Sequence, residues 1–228
     1  MDAAAYLQVL PPLVGVAAGR WNTPARRWVV VWCLGLALSD AVSILVALRW
    51  GQNLFVAYLF LPLSGSVALW ALSLWQTSDL TRLALRLAIP LFVAVSVVLS
   101  VLADDPRSFS LFAAPYHAVV MLIAASWTFV RRSLAGSGPL LRQDWFWVTA
   151  GFMLYFGGFT AMQPLVSYLF ASGRNDLIME AFNLRAAMDL LAWIAISGGI
   201  LCPIPLTSSG GLSSPRSSPS LSSSARSA

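Results

Sequence analysis

Trp28-Val29-Val30-Val31-Trp32-Cys33-Leu34-Gly35-Leu36-Ala37-Leu38-Ser39-Asp40-Ala41-Val42-Ser43-Ile44-Leu45-Val46-Ala47-Leu48 is the stretch that decides the fold class, because its 21 residues carry a single charge, Asp40. As an α-helix rising 1.5 Å per residue it measures about 31 Å, close to the hydrocarbon thickness of a bilayer. Six further apolar runs flank it, at residues 3–19, 54–75, 87–103, 111–130, 145–171 and 177–201. The whole chain of 228 residues is 58% hydrophobic and 10% charged, against about 25% charged in an ordinary soluble domain. A single water-soluble core of this size has no room for so much apolar side chain, which excludes a soluble enzyme. The expectation is an all-α, polytopic membrane bundle of seven transmembrane helices over residues 1–206.

The run at 3–19 is the shortest and contains Pro11 and Pro12; Asp2 stands where a signal peptide needs a basic flank, so it is read as a retained span. All fourteen basic residues are arginine, and the net charge is +5. They are spread over the connections between spans and do not form the single basic face that nucleic-acid binding requires, so no nucleic-acid partner is expected. Basic loop residues stay on the cytoplasmic side. Arg20, Arg26 and Arg27 follow the first run, Arg82 and Arg86 the third, Arg131, Arg132 and Arg142 the fifth, and Arg216 and Arg226 the last. Only Arg49, Arg107 and Arg174 fall on the opposite side, with Asp2, Asp104, Asp105 and Asp176. This alternation predicts N-terminus out and C-terminus in, within a bacterial-type cytoplasmic (inner) membrane. Trp21, Trp28, Trp50, Trp75 and Trp145 fall near span ends, as an interfacial aromatic belt does.

From Thr207 the composition turns to Ser, Pro and Gly, with eleven serines in the last 22 residues. Such a segment lacks the apolar side chains of a core, and 207–228 is expected to be a disordered cytoplasmic tail. The two cysteines, Cys33 and Cys202, show no disulfide or metal-binding pattern.

Charges inside spans are costly and mark pairing or function. Asp40 lies eight residues below the outer end of span two, about 12 Å at the helical rise, and Arg185 lies at the same depth in span seven. An Asp40 to Arg185 bridge is therefore allowed, with Asp189, four residues along the same helix face, as the competing partner. Gln163 in span six reaches a similar level, His117 enters span five from the outside, and Asn183 lies nearby in sequence. Asp40, His117, Gln163, Asn183, Arg185 and Asp189 are thus expected to line a polar pocket in the outer half of the bundle. Two readings stand open: a site in which Arg185 recognises an anionic group and His117 responds to pH near 6.5, or a structural network fixing span two against span seven. The small residues Ser64, Gly65, Ser66, Gly151, Gly157 and Gly158 let helices approach, and Pro62 and Pro164 distort them.

No nucleophile elbow, zinc-binding helix, phosphate-binding loop or dinucleotide fingerprint occurs, so neither catalytic residues nor a metal or cofactor are assigned. Met188-Asp189-Leu190-Leu191-Ala192-Trp193 is superficially similar to the last helix of microbial rhodopsins, but Trp193 stands where their retinal-binding lysine would be, and a chain without lysine forms no Schiff base. Gly51-Gln52-Asn53, Leu61-Pro62-Leu63, Asp144-Trp145-Phe146-Trp147, Gly151-Phe152-Met153-Leu154-Tyr155-Phe156-Gly157-Gly158 and Asn183 together resemble an uncharacterised family of bacterial seven-span proteins, over roughly residues 38–201. That resemblance implies a fold and no established activity. The functional expectation is a sensory or adaptor protein of the membrane, binding a small-molecule or lipid ligand and acting through a cytoplasmic signalling partner at Arg131, Arg132, Arg142 or the tail. A small-solute transporter, a lipid-acting intramembrane hydrolase and a structural assembly subunit are the alternatives.

Overall fold

Helix ends in this chain are written in its short polar punctuation. The computed structural model describes residues 7–19, 23–104, 110–135 and 138–203, so the tail at 207–228 and Trp21 lie outside the described residues. These residues form seven α-helices: α1 (Leu10–Ala17), α2 (Pro24–Trp50), α3 (Leu54–Leu74), α4 (Asp79–Leu102), α5 (Ala113–Ala135), α6 (Asp144–Ala171) and α7 (Asn175–Leu201). Thr23 opens α2: its Oγ1 accepts from the Arg26 amide at 3.4 Å, with Pro24 in the first turn, where a missing N–H costs nothing. Gly51 closes it at φ 71°, its amide donating to the Ala47 carbonyl, a left-handed cap that glycine adopts without strain. Pro11 and Pro12 do not interrupt α1; they sit at its start.

Five of these helices, α2, α3, α4, α5 and α7, are long and apolar enough to cross a membrane, and the chain is a multi-pass membrane protein. Helix α6 has 28 residues; α1 has eight, about 12 Å of rise. Neighbouring helices in sequence pack side by side, α1 returns to lie against α7 as well as α2, and α3 also meets α5. The result is a closed ring of helices. Its outer surface is apolar: Leu87, Leu91, Val98 and Leu102 of α4 and Leu34, Leu38 and Leu45 of α2 are exposed, as faces toward lipid are.

Helices α6 and α7 approach most closely. A Cβ on Gly151 would stand 2.8 Å from the Ala192 carbonyl oxygen, and one on Gly199 would stand 2.9 Å from the Asp144 carbonyl oxygen. Only glycine permits that spacing, the small-residue packing of membrane helices. In the ring's centre Trp32 packs against Phe152, Tyr155, Phe156 and Trp193 with ring centroids 4.6, 5.7, 5.9 and 5.7 Å away. Its indole nitrogen donates to Ser64 Oγ at 3.1 Å, which satisfies the one polar atom of a side chain only 1% exposed.

The arginines read as loop residues are largely on the helices. Arg82 and Arg86 are the fourth and eighth residues of α4, which begins eight residues before the expected 87, and Arg26 and Arg27 are the third and fourth of α2. Long side chains allow this: Arg82 bonds Asp79 at 2.8 Å and the Gln76 carbonyl at 3.2 Å, while Arg86 lies over the Trp70 ring at 4.4 Å. Trp28 and Trp50 are exposed at helix ends, but Trp75 and Trp145 are buried. The last two are therefore core residues and not part of an interfacial belt; Trp145 packs on Phe129 at 6.1 Å, beneath the Arg132 guanidinium at 5.6 Å. Cys33 and Cys202 are both buried and not joined in a disulfide.

At this same end, which holds the starts of α2 and α6 and the finish of α7, Arg26 is buried and bridges three helices. Its Nε donates to Asp144 Oδ2 at 3.0 Å and its Nη1 to the Ile200 carbonyl at 3.2 Å. Asp144 suits the first turn of α6, and a cation suits the last carbonyls of α7, because the helix dipoles favour those signs there.

Candidate functional site

The opposite end of the ring, near Gly51 and the α6–α7 connection, encloses a cavity of about 460 Å³. Residues spaced three or four apart supply its walls, since such residues share a helix face. Helix α3 contributes Leu54, Ala57, Tyr58 and Leu61; α6 contributes Tyr155, Phe159, Gln163 and Val166; α7 contributes Ala181, Phe182 and Arg185; Ser110 stands just before α5 and Ala114 in its first turn. The walls are apolar except for a few convergent polar groups, the composition of a small-molecule site.

Arg185 is the charge in the wall. Its Nε donates to Asp189 Oδ2 at 2.9 Å, its Nη2 lies 2.8 Å from Asp189 Oδ1, and its Nη1 donates to the Tyr155 carbonyl at 3.0 Å. The guanidinium lies over the rings of Tyr155 at 4.9 Å and Phe159 at 5.1 Å, a cation–π arrangement. Arg185 therefore pairs within its own helix, and the bridge to Asp40 is not formed. Asp40 accepts instead from Gln8 Nε2 at 2.7 Å. The physical reason is proximity: Asp189 is one turn away on the same face, whereas Gln8 reaches Asp40 from the segment preceding α1.

The six residues expected to cluster separate accordingly. Arg185 and Gln163 line the cavity, and Gln163 Nε2 donates to the Ser110 carbonyl at 3.2 Å, tying α6 to the start of α5. Asp189 is partly buried and holds Arg185. Asp40 is exposed on α2, and Asn183 is exposed on α7 away from the cavity wall. His117 lines a second, smaller space of about 120 Å³ with Ser39 and Ser64. It is buried between Phe92, 5.7 Å away, and Phe156, 5.4 Å away, and not at an aqueous surface.

Sequence reasoning missed the aromatic lining, Tyr155, Phe159 and Phe182. A signal existed: Tyr155, Phe159 and Gln163 recur every four residues, so any helix that points Gln163 inward presents both rings beside it. The cavity's rim is fixed by Asp104, which accepts from Ser110 Oγ at 2.7 Å and from the amides of Leu111, Phe112 and Ala113 at 2.9, 3.1 and 2.9 Å. Burial alone raises this carboxyl, but the four hydrogen bonds outweigh it and hold Asp104 below the usual carboxylate range.

Compared with protein-family models, with curated proteins and with solved structures, the chain has no significant match.

Proposed function

We propose that this chain is a sensory or adaptor protein of a bacterial-type cytoplasmic membrane, with seven spans, N-terminus out and C-terminus in, that binds a small ligand in the Arg185 cavity and acts through a cytoplasmic partner. The arginine bias supports the orientation, because the Arg26–Asp144 end then faces the cytoplasm and the cavity the outside. The observation that carries the reading is the contrast between the two ends. An apolar cavity with an arginine in its wall lies at one end, and below it Trp32, Phe152, Phe156 and Trp193, each at most 2% exposed, fill the ring's centre. Binding needs a cavity; transport also needs a path past those rings.

A lipid-acting hydrolase is less well supported, since two acids that would position water are engaged elsewhere, Asp40 by Gln8 and Asp189 by Arg185. The test is affinity purification of the full chain from native membranes, followed by native mass spectrometry of the intact assembly. The expected result is a bound small molecule together with a cytoplasmic protein, the small molecule being lost when Ala57→Trp fills the cavity. Recovery of the chain with neither, or tracer counterflow across proteoliposomes containing the chain alone, overturns the reading.

A further inference from the structure

Helix α5 reaches the Arg26–Asp144 end with Arg131 and Arg132, and these two cations differ from the arginines beside them. Arg26 donates to Asp144 and the Ile200 carbonyl, Arg82 to Asp79 and the Gln76 carbonyl, and Arg86 to Ser73 Oγ at 3.4 Å. Among the described residues neither Arg131 nor Arg132 has a hydrogen-bond or ion-pair partner. Their contacts are aromatic: the Arg131 guanidinium lies over the Trp127 ring at 5.4 Å and that of Arg132 over Trp145 at 5.6 Å. Arg131 is exposed and Arg132 half-buried. Arg132 Nε is closed off from solvent without a partner, whereas its two Nη nitrogens are not closed off.

No carboxylate balances the pair. Asp144 acts on Arg132 from beyond ion-pair distance, but its Oδ2 is taken by Arg26 and its Oδ1 by the Trp145 amide. The end of α5 supplies about half a negative charge against two positive ones. Cations withdrawn from water are normally paired, so this corner calls for an anion from outside the chain.

The adjoining surface shows which kind. Val119, Ile123, Trp127, Val130 and Leu134 are exposed and recur every three or four residues, so they form one apolar stripe along α5. Arg131 lies on that stripe through Trp127. In a multi-pass membrane protein the stripe faces lipid chains, and a phospholipid lying on it brings its phosphate to the level of the two arginines. A planar guanidinium donates two parallel N–H bonds to phosphate oxygens, and basic residues at this boundary favour anionic headgroups.

We propose that the end of α5 binds an anionic phospholipid, its phosphodiester on the Arg132 Nη nitrogens and Arg131, its acyl chains along Ile123, Trp127 and Val130. A headgroup amine would add a third positive charge, so the lipid is one without an amine, such as phosphatidylglycerol. This site is separate from the Arg185 cavity, stands whether or not that cavity holds a ligand, and leaves Arg142 for a protein partner.

The probes are dioleoylphosphatidylglycerol, dioleoylphosphatidylethanolamine and glycerol 3-phosphate, titrated into the delipidated full chain in dodecyl maltoside micelles and followed by native mass spectrometry. A basic residue near a membrane surface contributes about fivefold in affinity for anionic lipid, so phosphatidylglycerol should bind about tenfold or more tightly than phosphatidylethanolamine. Arg131→Gln/Arg132→Gln should fold as the parent does, because neither side chain holds the chain together by a hydrogen bond, and should bring the two lipids to equal affinity. Arg27→Gln/Arg82→Gln removes the same charge at the same end and should keep the preference. Equal binding of the two lipids by the parent chain, a comparison that needs no variant, overturns the proposal. A preference that survives Arg131→Gln/Arg132→Gln, or is lost equally in Arg27→Gln/Arg82→Gln, overturns it as well. Displacement of phosphatidylglycerol by an equal concentration of glycerol 3-phosphate makes the site one for soluble phosphate and overturns the lipid assignment, and failure of Arg131→Gln/Arg132→Gln to fold shows those cations engaged within the chain and overturns it too.

Discussion

Replacing Asp144 with alanine should damage this bundle more than replacing its partner, and the size of the difference follows from the burial of each side chain. The Arg26 side chain is 1% exposed and that of Asp144 19%. Without the carboxylate, the guanidinium stays where water does not reach and loses the counter-charge of Asp144 while the Ile200 carbonyl bond at 3.2 Å remains; removing the acid of a buried pair costs about 3 to 5 kcal/mol. Arg26→Met removes the charge itself. Asp144 then retains some water and the first turn of α6, a location that favours an anion by about 0.3 to 1 kcal/mol, so the loss is that of a charged hydrogen bond, about 1.5 to 3 kcal/mol. The double variant Arg26→Met/Asp144→Ala should cost little more than Arg26→Met, because no charge remains to be stranded. The expected coupling is about 2 kcal/mol or more, well outside additivity. Reversible unfolding of the four proteins in mixed dodecyl maltoside and dodecyl sulfate micelles measures it, with far-ultraviolet circular dichroism as the signal. Losses that add to within about 0.5 kcal/mol, or a greater loss in Arg26→Met than in Asp144→Ala, would refute the three-helix clamp.

The α6–α7 contact is tested by Gly199→Ala, whose methyl would meet the Asp144 carbonyl at 2.9 Å; overpacking of this kind costs about 1 to 3 kcal/mol, whereas Gly35→Ala, with nothing within 4 Å, should not lower the unfolding midpoint, alanine being the better helix former. Asp104→Ala removes the acceptor for three amides at the start of α5, a loss of about 1 kcal/mol by capping precedent, and hydrogen exchange at Leu111 to Ala113 should accelerate about fivefold. Because the folded Asp104 carboxyl lies below its ordinary value, its stabilising effect is complete above about pH 4 and disappears as pH falls through the folded value. Exchange measured from pH 6 down to pH 3, corrected for intrinsic rates, should show wild-type protection converging on that of the alanine variant; a constant gap would contradict the cap. Maleimide labelling in micelles should leave Cys33, which is completely buried, unmodified until the bundle unfolds.

Much of this architecture is legible in the sequence where a local rule suffices. The span read at 28–48 falls inside α2, Pro24–Trp50, and its true limits are carried by Thr23, Pro24 and Gly51, since caps and turns depend on neighbouring residues alone. The start of α4 is not legible from hydropathy, since an arginine at a membrane boundary keeps its stem on apolar surface while its head reaches polar partners, as Arg86 does over Trp70. Trp75 and Trp145 show the same limit for aromatic residues: their sequence position resembles that of Trp50, but a tryptophan at a span end can turn inward, and the direction depends on which helix stands beside it. For the site, depth counted along each span puts Arg185 and Gln163 at one level, and both line the cavity. Depth carries no azimuth, however, and so it did not separate Asp40, which meets Gln8, and Asn183, which is exposed, from the cavity wall.

The two charge pairs of the core act differently on its movement. Arg26 joins α2, α6 and α7 at one end, so separating any of them there exposes a charge to an apolar interior. Arg185 and Asp189 belong to one helix, and their attraction survives a change in the spacing between α7 and α3 or α5. The cavity lies among those three helices and α6, while the backbones of α6 and α7 are held together at Gly151 and Gly199 toward the clamped end. Opening at the cavity end is therefore cheaper than at the clamped end, and α6 and α7 should shift as one body. Under the sensory reading, a ligand that spreads α3 from α6 tilts that body about the Arg26 contact and displaces the start of α6 and its preceding loop. The loop carries Arg142, one of the basic residues expected to meet a cytoplasmic partner, so under that reading movement at the cavity reaches that surface.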